Sequence, residues 1–271
     1  MSADLSAFLA AAVDAARAAG AVALARQRTL PPAQFKGSKD LVTEADIECD
    51  RLIRTRLSSA FPDHDLLTEE EGALDRGSDY RWIADPIDGT INYAHGIPLW
   101  GNSVALSHKG KVLCGAIYLP VFDELYTAVA GGGAFVNGQP LRVSTLSDIE
   151  AAVLSHGDYN VGDESIRDGL NAANRIAHGR MTEAVQRIKC LGSAVVEGAW
   201  VACGRLDAYW MTYLKPWDAA VTTLLVTEAG GTVTDLRGNP WTLACEEALF
   251  SNGLLHDDLL AALAWENSSA V

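Results

Sequence analysis

Between residues 4 and 28 apolar positions recur every three or four residues. Leu5, Phe8, Leu9, Ala12, Val13 and Ala16 share one face, and the many alanines favour a helix. Pro31 and Pro32 end it. The stretch KGSKDLVTEAD reads as a Gly- and Lys-containing loop entering a short strand. Residues 44–60 then predict a second helix with Ile47, Ile53 and Leu57 inward, closed by Pro62. After this the period shortens to two. YRWIAD (80–85), GNSVALSH (101–108), KVLCGAIYLP (111–120) and ELYTAVA (124–130) predict strands joined by tight turns such as 108–110. Gly131 to Gly133 reads as a turn, because it lacks the strand–GxGxxG–helix order of a nucleotide-binding loop. Beyond about residue 150, helices at 163–178 and 193–204 alternate with strands at 206–211 and 231–236. Helices covering sheets in layers is an α/β or α+β arrangement. Neither an internal repeat nor a linker long enough to free a second domain interrupts it.

Composition narrows the partners. Hydrophobic residues make up 49% of the 271-residue chain and charged residues 21%, which allows a sizeable core. The formal net charge is −14, and nucleic acid or an anionic membrane would reward clustered Lys and Arg instead. A phosphorylated small molecule remains compatible if a cation other than a side chain is recruited. Cys49, Cys114, Cys190, Cys203 and Cys245 show no CxxC spacing, so neither a zinc site nor a disulfide framework is suggested. Reduced thiols in a cytoplasmic protein are the expectation. The N-terminal stretch carries Asp4, Asp14 and Arg17, and is read neither as a signal peptide nor as a membrane span.

The chemistry concentrates in WIADPIDGTINYAHGIP. A hydrophobic strand runs into Asp85-Pro86-Ile87-Asp88-Gly89-Thr90, and a turn at Pro86 would let both carboxylates converge. Gly89 lets backbone approach a ligand, and the next segment can open a helix whose free N–H groups favour an anion. Two carboxylates about 4 Å apart repel by roughly 4 kcal/mol at an effective dielectric near 20, a penalty a divalent cation removes. Oxygen-only ligands select magnesium over zinc. From Trp82 to Ser107 there is no Lys or Arg, so a phosphate held after Asp88 would need metal to balance its charge. Further acids are Asp46 at the LVTEAD junction, Glu69, Glu70 and Glu71 after an apolar pair, and Asp218 after Pro216-Trp217. Each alone has a plain reading: a solvated acidic face, a helix cap or an Asx turn. Asp218, close to a helix N-terminus, is expected to stay ionised through the helix dipole.

In this order the acids resemble the inositol monophosphatase family, within the wider superfamily of lithium-sensitive phosphatases and fructose-1,6-bisphosphatases. The family pattern is a loop Asp, a Glu-Glu pair, Asp-Pro-Ile/Leu-Asp-Gly/Ser-Thr, then Trp-Asp, eleven residues and Gly-Gly. Here it falls on Asp46, Glu69-Glu70, Asp85 to Thr90, Trp217-Asp218 and Gly230-Gly231. The resemblance implies a five-layered αβαβα sandwich spanning 1–271, usually a homodimer. An N-terminal half (1–145) would carry most metal ligands, and a C-terminal half (146–271) Asp218 and a substrate-side loop. It implies two or three Mg2+ ions, with Mn2+ able to substitute. Glu69, Asp85 and the Ile87 carbonyl would hold the first, Asp85, Asp88 and Asp218 the second, and a looser third would lean on Glu69 through water. Thr90, oriented by Asp46, would help Glu69 position and deprotonate the attacking water. The Gly89 and Thr90 N–H groups would hold phosphate oxygens, and Lys36 would help close the site.

On the substrate side, the resemblance implies contacts from Asp88, Asp218 and the Gly192-Ser193-Ala194 loop. One position departs from the pattern: the inositol-contacting Glu of the family is Met211 here, and methionine is a poor hydrogen-bond acceptor. The expected activity is hydrolysis of a small phosphate monoester. Inositol 1-phosphate leads, with histidinol phosphate, another sugar phosphate or a nucleotide 3′-phosphate as alternatives. A non-catalytic phospho-ligand binder is the competing class. His95 is given no assigned role, Trp82 and Trp217 are packing supports, and Trp100 and Trp210 are candidates to line the leaving-group pocket.

Overall fold

The structure, a computed structural model, describes residues 5–27, 34–37, 40–161 and 164–264. Helix α1 (Leu5–Arg26) is followed by a small hairpin of β1 (Gln34–Gly37) and β2 (Asp40–Val42), then by α2 (Glu44–Ala60). Strands β3 (Asp65–Thr68), β4 (Gly72–Leu74) and β5 (Tyr80–Asp88) come next. Helix α3 (Thr90–His95) separates them from β6 (Gly101–His108), β7 (Lys111–Leu119), β8 (Glu124–Val129), β9 (Gly133–Val136) and β10 (Gln139–Pro140). The C-terminal part runs β11 (Val153–His156), α4 (Glu164–Ala184), β12 (Arg187–Lys189), α5 (Ala194–Ala202), β13 (Ala208–Thr212) and α6 (Pro216–Glu228). It closes with β14 (Thr232–Thr234), β15 (Glu247–Ser251) and α7 (His256–Leu263).

One sheet has eight strands in the order β10-β9-β8-β7-β6-β5-β3-β4, and the other five in the order β12-β11-β13-β15-β14. Three apolar clusters bind them into layers. The first joins α1 and α2, through Ala12, Ala16, Cys49, Ile53 and Leu57, to Trp82 and Val104 on one face of the large sheet. A central cluster sets Val195, Val221 and Leu225 of α5 and α6 between Ile117 of that sheet and Tyr209 and Phe250 of the smaller one. The third packs Met181 of α4 and Leu259 of α7 on Leu154, Trp210 and Leu249. The order is therefore αβαβα, the architecture the sequence resemblance implied. Helix α1 is long and apolar enough to cross a membrane by length and composition, yet its alanine face is packed on β6 and β7.

Most elements lie close to their predicted bounds, with instructive differences. Strand β5 continues three residues past Asp85, α4 runs six residues past 178, and β14 is shorter than 231–236. The short strands β3, β4, β9, β11, β12 and β15, and the helix α7, have too few residues for a pattern to show. Turn 108–110 places Lys109 (φ 50°) and Gly110 (φ 78°) in the left-handed region, as a two-residue hairpin between twisted strands requires. In the Gly131–Gly133 turn, the N–H groups of Gly131 and Gly133 donate to the Glu228 carboxylate at 2.7 and 2.8 Å. Pro31 and Pro32 lie outside the described residues.

Candidate active site

The site begins with a parity problem. In a regular strand residues three apart point to opposite faces, so Asp85 and Asp88 should diverge. They do not, because β5 carries a bulge: Asp85 pairs with Ser103 of β6 and Asp88 with Gly101, so that two residues, Pro86 and Ile87, oppose Asn102 alone. Pro86 sits inside the bulge, where its missing N–H breaks no ladder bond, and its carbonyl accepts from Asn102 Nδ2. The convergence arises within a continued strand, where the sequence suggested a turn after it. Gly89 (φ 89°, ψ 41°) then reverses the chain into α3. A side chain there would bring its Cβ to 3.0 Å from the Leu99 carbonyl and 3.1 Å from Ser193, so glycine is required both by conformation and by space.

Two other elements deliver carboxylates beside this bulge. Strand β3 runs parallel to β5, and its hairpin turn into β4 is Glu69 to Glu71; the Glu69 N–H donates to the Ala84 carbonyl at 3.3 Å, which sets Glu69 beside Asp85. Asp218 occupies the third position of α6, where its carboxylate accepts the Lys215 N–H at 2.8 Å. One oxygen from each of Asp85, Asp88 and Asp218 lies within 4.8 Å of the other two. Asp88 is held from the far side, where its Oδ2 accepts the Ser193 hydroxyl and the Val195 N–H (3.0 Å) at the start of α5. Glu71 faces away and pairs with Arg51 and Arg54. The Glu70 N–H donates to buried Asp50, which also accepts from Thr68 and steadies the turn.

Asp46 is both a cap and a site residue. Its Oδ2 accepts the N–H (2.8 Å) and hydroxyl (2.5 Å) of Thr43, a reciprocal cap on α2. Its Oδ1 lies 3.0 Å from the Thr90 hydroxyl, which is also 3.1 Å from the Ile87 carbonyl. A hydroxyl has one proton to donate. If the Ile87 carbonyl is occupied by a cation, that proton goes to Asp46 and leaves a Thr90 lone pair directed outward.

Negative charge is concentrated here, and Lys215 offsets it in part at Asp218. Burial first, then Glu69, Asp88, Asp218 and Asp46, push the Asp85 carboxyl far above the usual carboxylate range. Burial and Asp88 push the Asp218 carboxyl up as well, against the opposing pull of the Lys215 N–H at the start of α6. Burial raises Asp88 to about 6 against the opposing pull of Ser193 and the α5 N–H groups. At an effective dielectric near 20 each ionised pair at this separation costs roughly 3 kcal/mol. Asp85 Oδ1 is buried without a hydrogen-bond partner. A buried, unpaired carboxylate oxygen facing two other acids is a donor set that fits a hard divalent cation.

Asp88, Gly89, Thr90, Gly192, Ser193, Ala194, Met211 and Asp218 line one cleft of about 720 Å³, mouth included. Asp85 and Ile87 lie beneath its floor, fully buried or nearly so. Three lining or supporting residues were not apparent in the sequence. Asp158 lines the cleft and its carboxyl is raised by burial; Glu197 also lines it, accepts the Leu191 N–H at 3.1 Å, and is raised well above its usual range by burial. Asn92 donates to the Leu99 and Leu191 carbonyls, both at 2.7 Å, tying α3 to the loop before α5. No motif marks Asp158 or Glu197. Asn92, two residues past Thr90, could have been suspected from position alone.

Met211 lines the cleft, and Tyr209 Oη donates to its Sδ at 2.9 Å. A Cβ on Gly157 would collide with this thioether, so the small residue there makes room for the methionine. Trp100 and Trp210 do not line the cleft: both are fully buried, Trp100 edge-on to Tyr93 at 4.9 Å and Trp210 in the outer cluster under α4 and α7. Trp82 and Trp217 are packing residues. His95 is exposed at the end of α3, away from the cleft, and the Lys36 side chain lies outside the described residues. Gly230 (φ 94°) turns the chain after α6, and at Gly231 a Cβ would collide with the Ser251 carbonyl of β15.

Comparison with known proteins agrees with this geometry. A family model described as inositol monophosphatase family matches residues 4–269. The chain is 39% identical over 230 residues to an inositol-1-monophosphatase of Mesorhizobium japonicum, covering 84% of this chain and 85% of that one. It is 38% identical over 224 residues to a fructose-1,6-bisphosphatase/inositol-1-monophosphatase of Thermotoga maritima, covering 83% and 82%. Among solved structures, the extragenic suppressor protein suhB of Bartonella henselae superposes with a TM-score of 0.87 at 33% identity, covering 97% of this chain and all (100%) of the other. The family match across nearly the whole chain, the shared fold and the full-length similarity place the chain in the inositol monophosphatase family, a family of phosphoric monoester hydrolases.

Proposed function

We propose that this protein hydrolyses the phosphate monoester of a small soluble molecule in a magnesium-dependent reaction, with inositol 1-phosphate the first substrate to test. The observation that carries the reading is the meeting of Asp85, Asp88 and Asp218 within 4.8 Å, beside Glu69 and around an unpaired buried oxygen. Glu69, Asp85 and the Ile87 carbonyl would hold one ion, and Asp85, Asp88 and Asp218 a second, with a looser third near Glu69. The all-oxygen donor set favours Mg2+, with Mn2+ as a substitute. When bound, such ions acidify water and neutralise charge on the transferring phosphoryl group.

The chain's own groups do the positioning. The Thr90 hydroxyl, turned by Asp46, orients a water molecule for in-line attack on phosphorus, and Glu69 accepts its proton. The Gly89 and Thr90 N–H groups face the phosphate oxygens. The ester P–O bond breaks, inorganic phosphate forms, and the leaving oxygen takes a proton to become an alcohol. Lining of the cleft supports a polar leaving group held by Asp158, Asp218, Glu197 and the Gly192 to Ala194 loop. Met211 offers no strong acceptor where the family pattern has Glu, which lowers the advantage of inositol 1-phosphate. Asp158 and Glu197 favour a leaving group rich in hydroxyls or carrying an amine, so histidinol phosphate, sugar phosphates and nucleotide 3′-phosphates belong beside it. All five cysteines are free, which suits a reducing cytoplasm, and a homodimer is the assembly to check by sedimentation.

A phosphate-release screen across these monoesters, run with Mg2+ and with EDTA, tests the reading. Turnover that appears only with the metal is the expected result. Binding of phosphorylated ligands without release from any of them would overturn it in favour of a binding protein.

A further inference from the structure

The outer edge of the smaller sheet holds a second group of ligating side chains, unrelated to the acidic cage. His156 ends β11, His178 lies on α4, and Cys190 follows β12. An imidazole nitrogen from each histidine and the Cys190 sulfur all lie within 4.8 Å of one another. Among the described residues this is the one such group that mixes nitrogen and sulfur donors. We propose that His156, His178 and Cys190 form a metal site for a borderline-soft divalent ion, Zn2+ being the fitting one, with solvent as the fourth ligand.

Two observations carry this. First, His156 is 1% exposed and neither of its ring nitrogens has a hydrogen-bond partner; His178 Nδ1 is buried and unpaired as well. Buried polar atoms are nearly always satisfied, so three unpaired imidazole nitrogens in one place call for a missing partner. Second, the surroundings hold the ring without offering one. Trp210 lies 4.5 Å from the His156 ring, Tyr159 5.1 Å and His178 5.7 Å, all centroid to centroid. The nearby Asn174 side chain, the polar group facing the ring, donates to Thr212 Oγ1 at 2.9 Å and makes no well-formed hydrogen bond to His156.

Imidazole and thiolate donors select zinc over magnesium, the reverse of the acidic cage. In a tetrahedral site with bonds of about 2.0 to 2.3 Å the donors stand roughly 3.5 Å apart, so closure needs about an ångström of movement. Cys190 is exposed and can supply it. Burial, Glu197 and Asp158 keep the Cys190 thiol protonated in the metal-free protein. Binding therefore releases that proton to solvent, and affinity rises with pH. The position matters for the cleft. His156 stands two residues before Asp158, and Cys190 two before Gly192, so one ion would pin together both segments that line the leaving-group side.

Cobalt(II) is the probe, added to the full chain in the presence of saturating Mg2+ so that the acidic cage is filled. A single equivalent should produce a thiolate-to-cobalt charge-transfer band in the near ultraviolet. Zn2+ should displace it. Cys190→Ser, a surface change, should abolish the band, and His178→Gln should weaken binding about 10-fold or more. Asp85→Asn should leave the band unchanged, which separates this site from the catalytic reading. Absence of the band in the wild-type protein, or its persistence in Cys190→Ser, would overturn the proposal.

Discussion

Asp85 shows how much one side chain carries. It is buried, it is raised by Glu69, Asp88, Asp218 and Asp46, and one of its oxygens has no hydrogen-bond partner among the described residues. An amide in its place keeps the shape but removes the charge that a cation would share. Asp85→Asn should therefore leave less than about a tenth of wild-type turnover, as expected for loss of a bridging ligand; steady-state phosphate release measures it. Met211 acts on selectivity instead. Its thioether accepts only from Tyr209, so Met211→Glu should raise kcat/KM for inositol 1-phosphate relative to other monoesters by roughly 5- to 100-fold, the equivalent of about 1–3 kcal/mol for one hydrogen bond. A flat profile across the panel after substitution would show that the position does not read the leaving group.

At the scale of elements, the site is assembled from ends: the bulge of β5, the first turns of α2, α3, α5 and α6, and the β3–β4 turn. Helix starts carry unpaired N–H groups, and acids placed there serve the helix and the site together. Thr43→Ala removes the hydroxyl that caps α2 but leaves the Thr43 N–H holding Asp46, so it should cost about 1 kcal/mol in denaturant unfolding and lower kcat less than Asp46→Ala does. Asp46→Ala removes the cap and the Thr90 contact, so stability and kcat should both fall. Helix α7 supplies a pH-sensitive joint through His256. Its ring is buried between Thr234 Oγ1 of β14 (2.9 Å) and Ser251 Oγ of β15 (2.8 Å), and burial lowers its pKa. The unfolded chain then binds the proton more readily than the folded one, so the stabilisation is present above the unfolded imidazole value near 6.5 and is lost as pH falls below it. The wild-type melting temperature should decline more steeply between pH ~7 and ~5 than that of His256→Gln.

For the whole molecule, the cage couples the layers. Asp85 and Asp88 come from the large sheet and Asp218 from α6 in the central layer, which also packs on the smaller sheet. Repulsion among these acids opposes that packing until a cation relieves it. Stripping the protein with EDTA should lower its melting temperature, and millimolar Mg2+ should restore it in a saturable way; a melting temperature indifferent to both would mean that the acids bind no structural charge. Legibility in the sequence followed the same division. The long elements were visible because α1, α2 and β5 to β8 have enough residues to show a period. The clustered acids were visible because Asp85 to Asp88 and Trp217-Asp218 are local patterns. The bulge was not, since a strand reads the same in sequence whether or not one residue is extra. Nor were Asp158, Glu197, or the burial of Trp100 and Trp210, because each depends on which layer a residue faces.

Acids, glycines and their local order in the chain determined the family, the layered class and the residues able to hold a hard cation. Those properties reside in side-chain chemistry and short spacings, which do not need the fold to be recognised. Only the tertiary structure decided that Asp85 and Asp88 share a face, that burial and Asp88 raise the Asp218 carboxyl, and that Met211 lines the cleft. It alone brought His156, His178 and Cys190 together, although no cysteine pair has the spacing of a zinc motif. Distances between residues far apart in sequence are set by sheet register and layer packing, and these are properties of the whole chain.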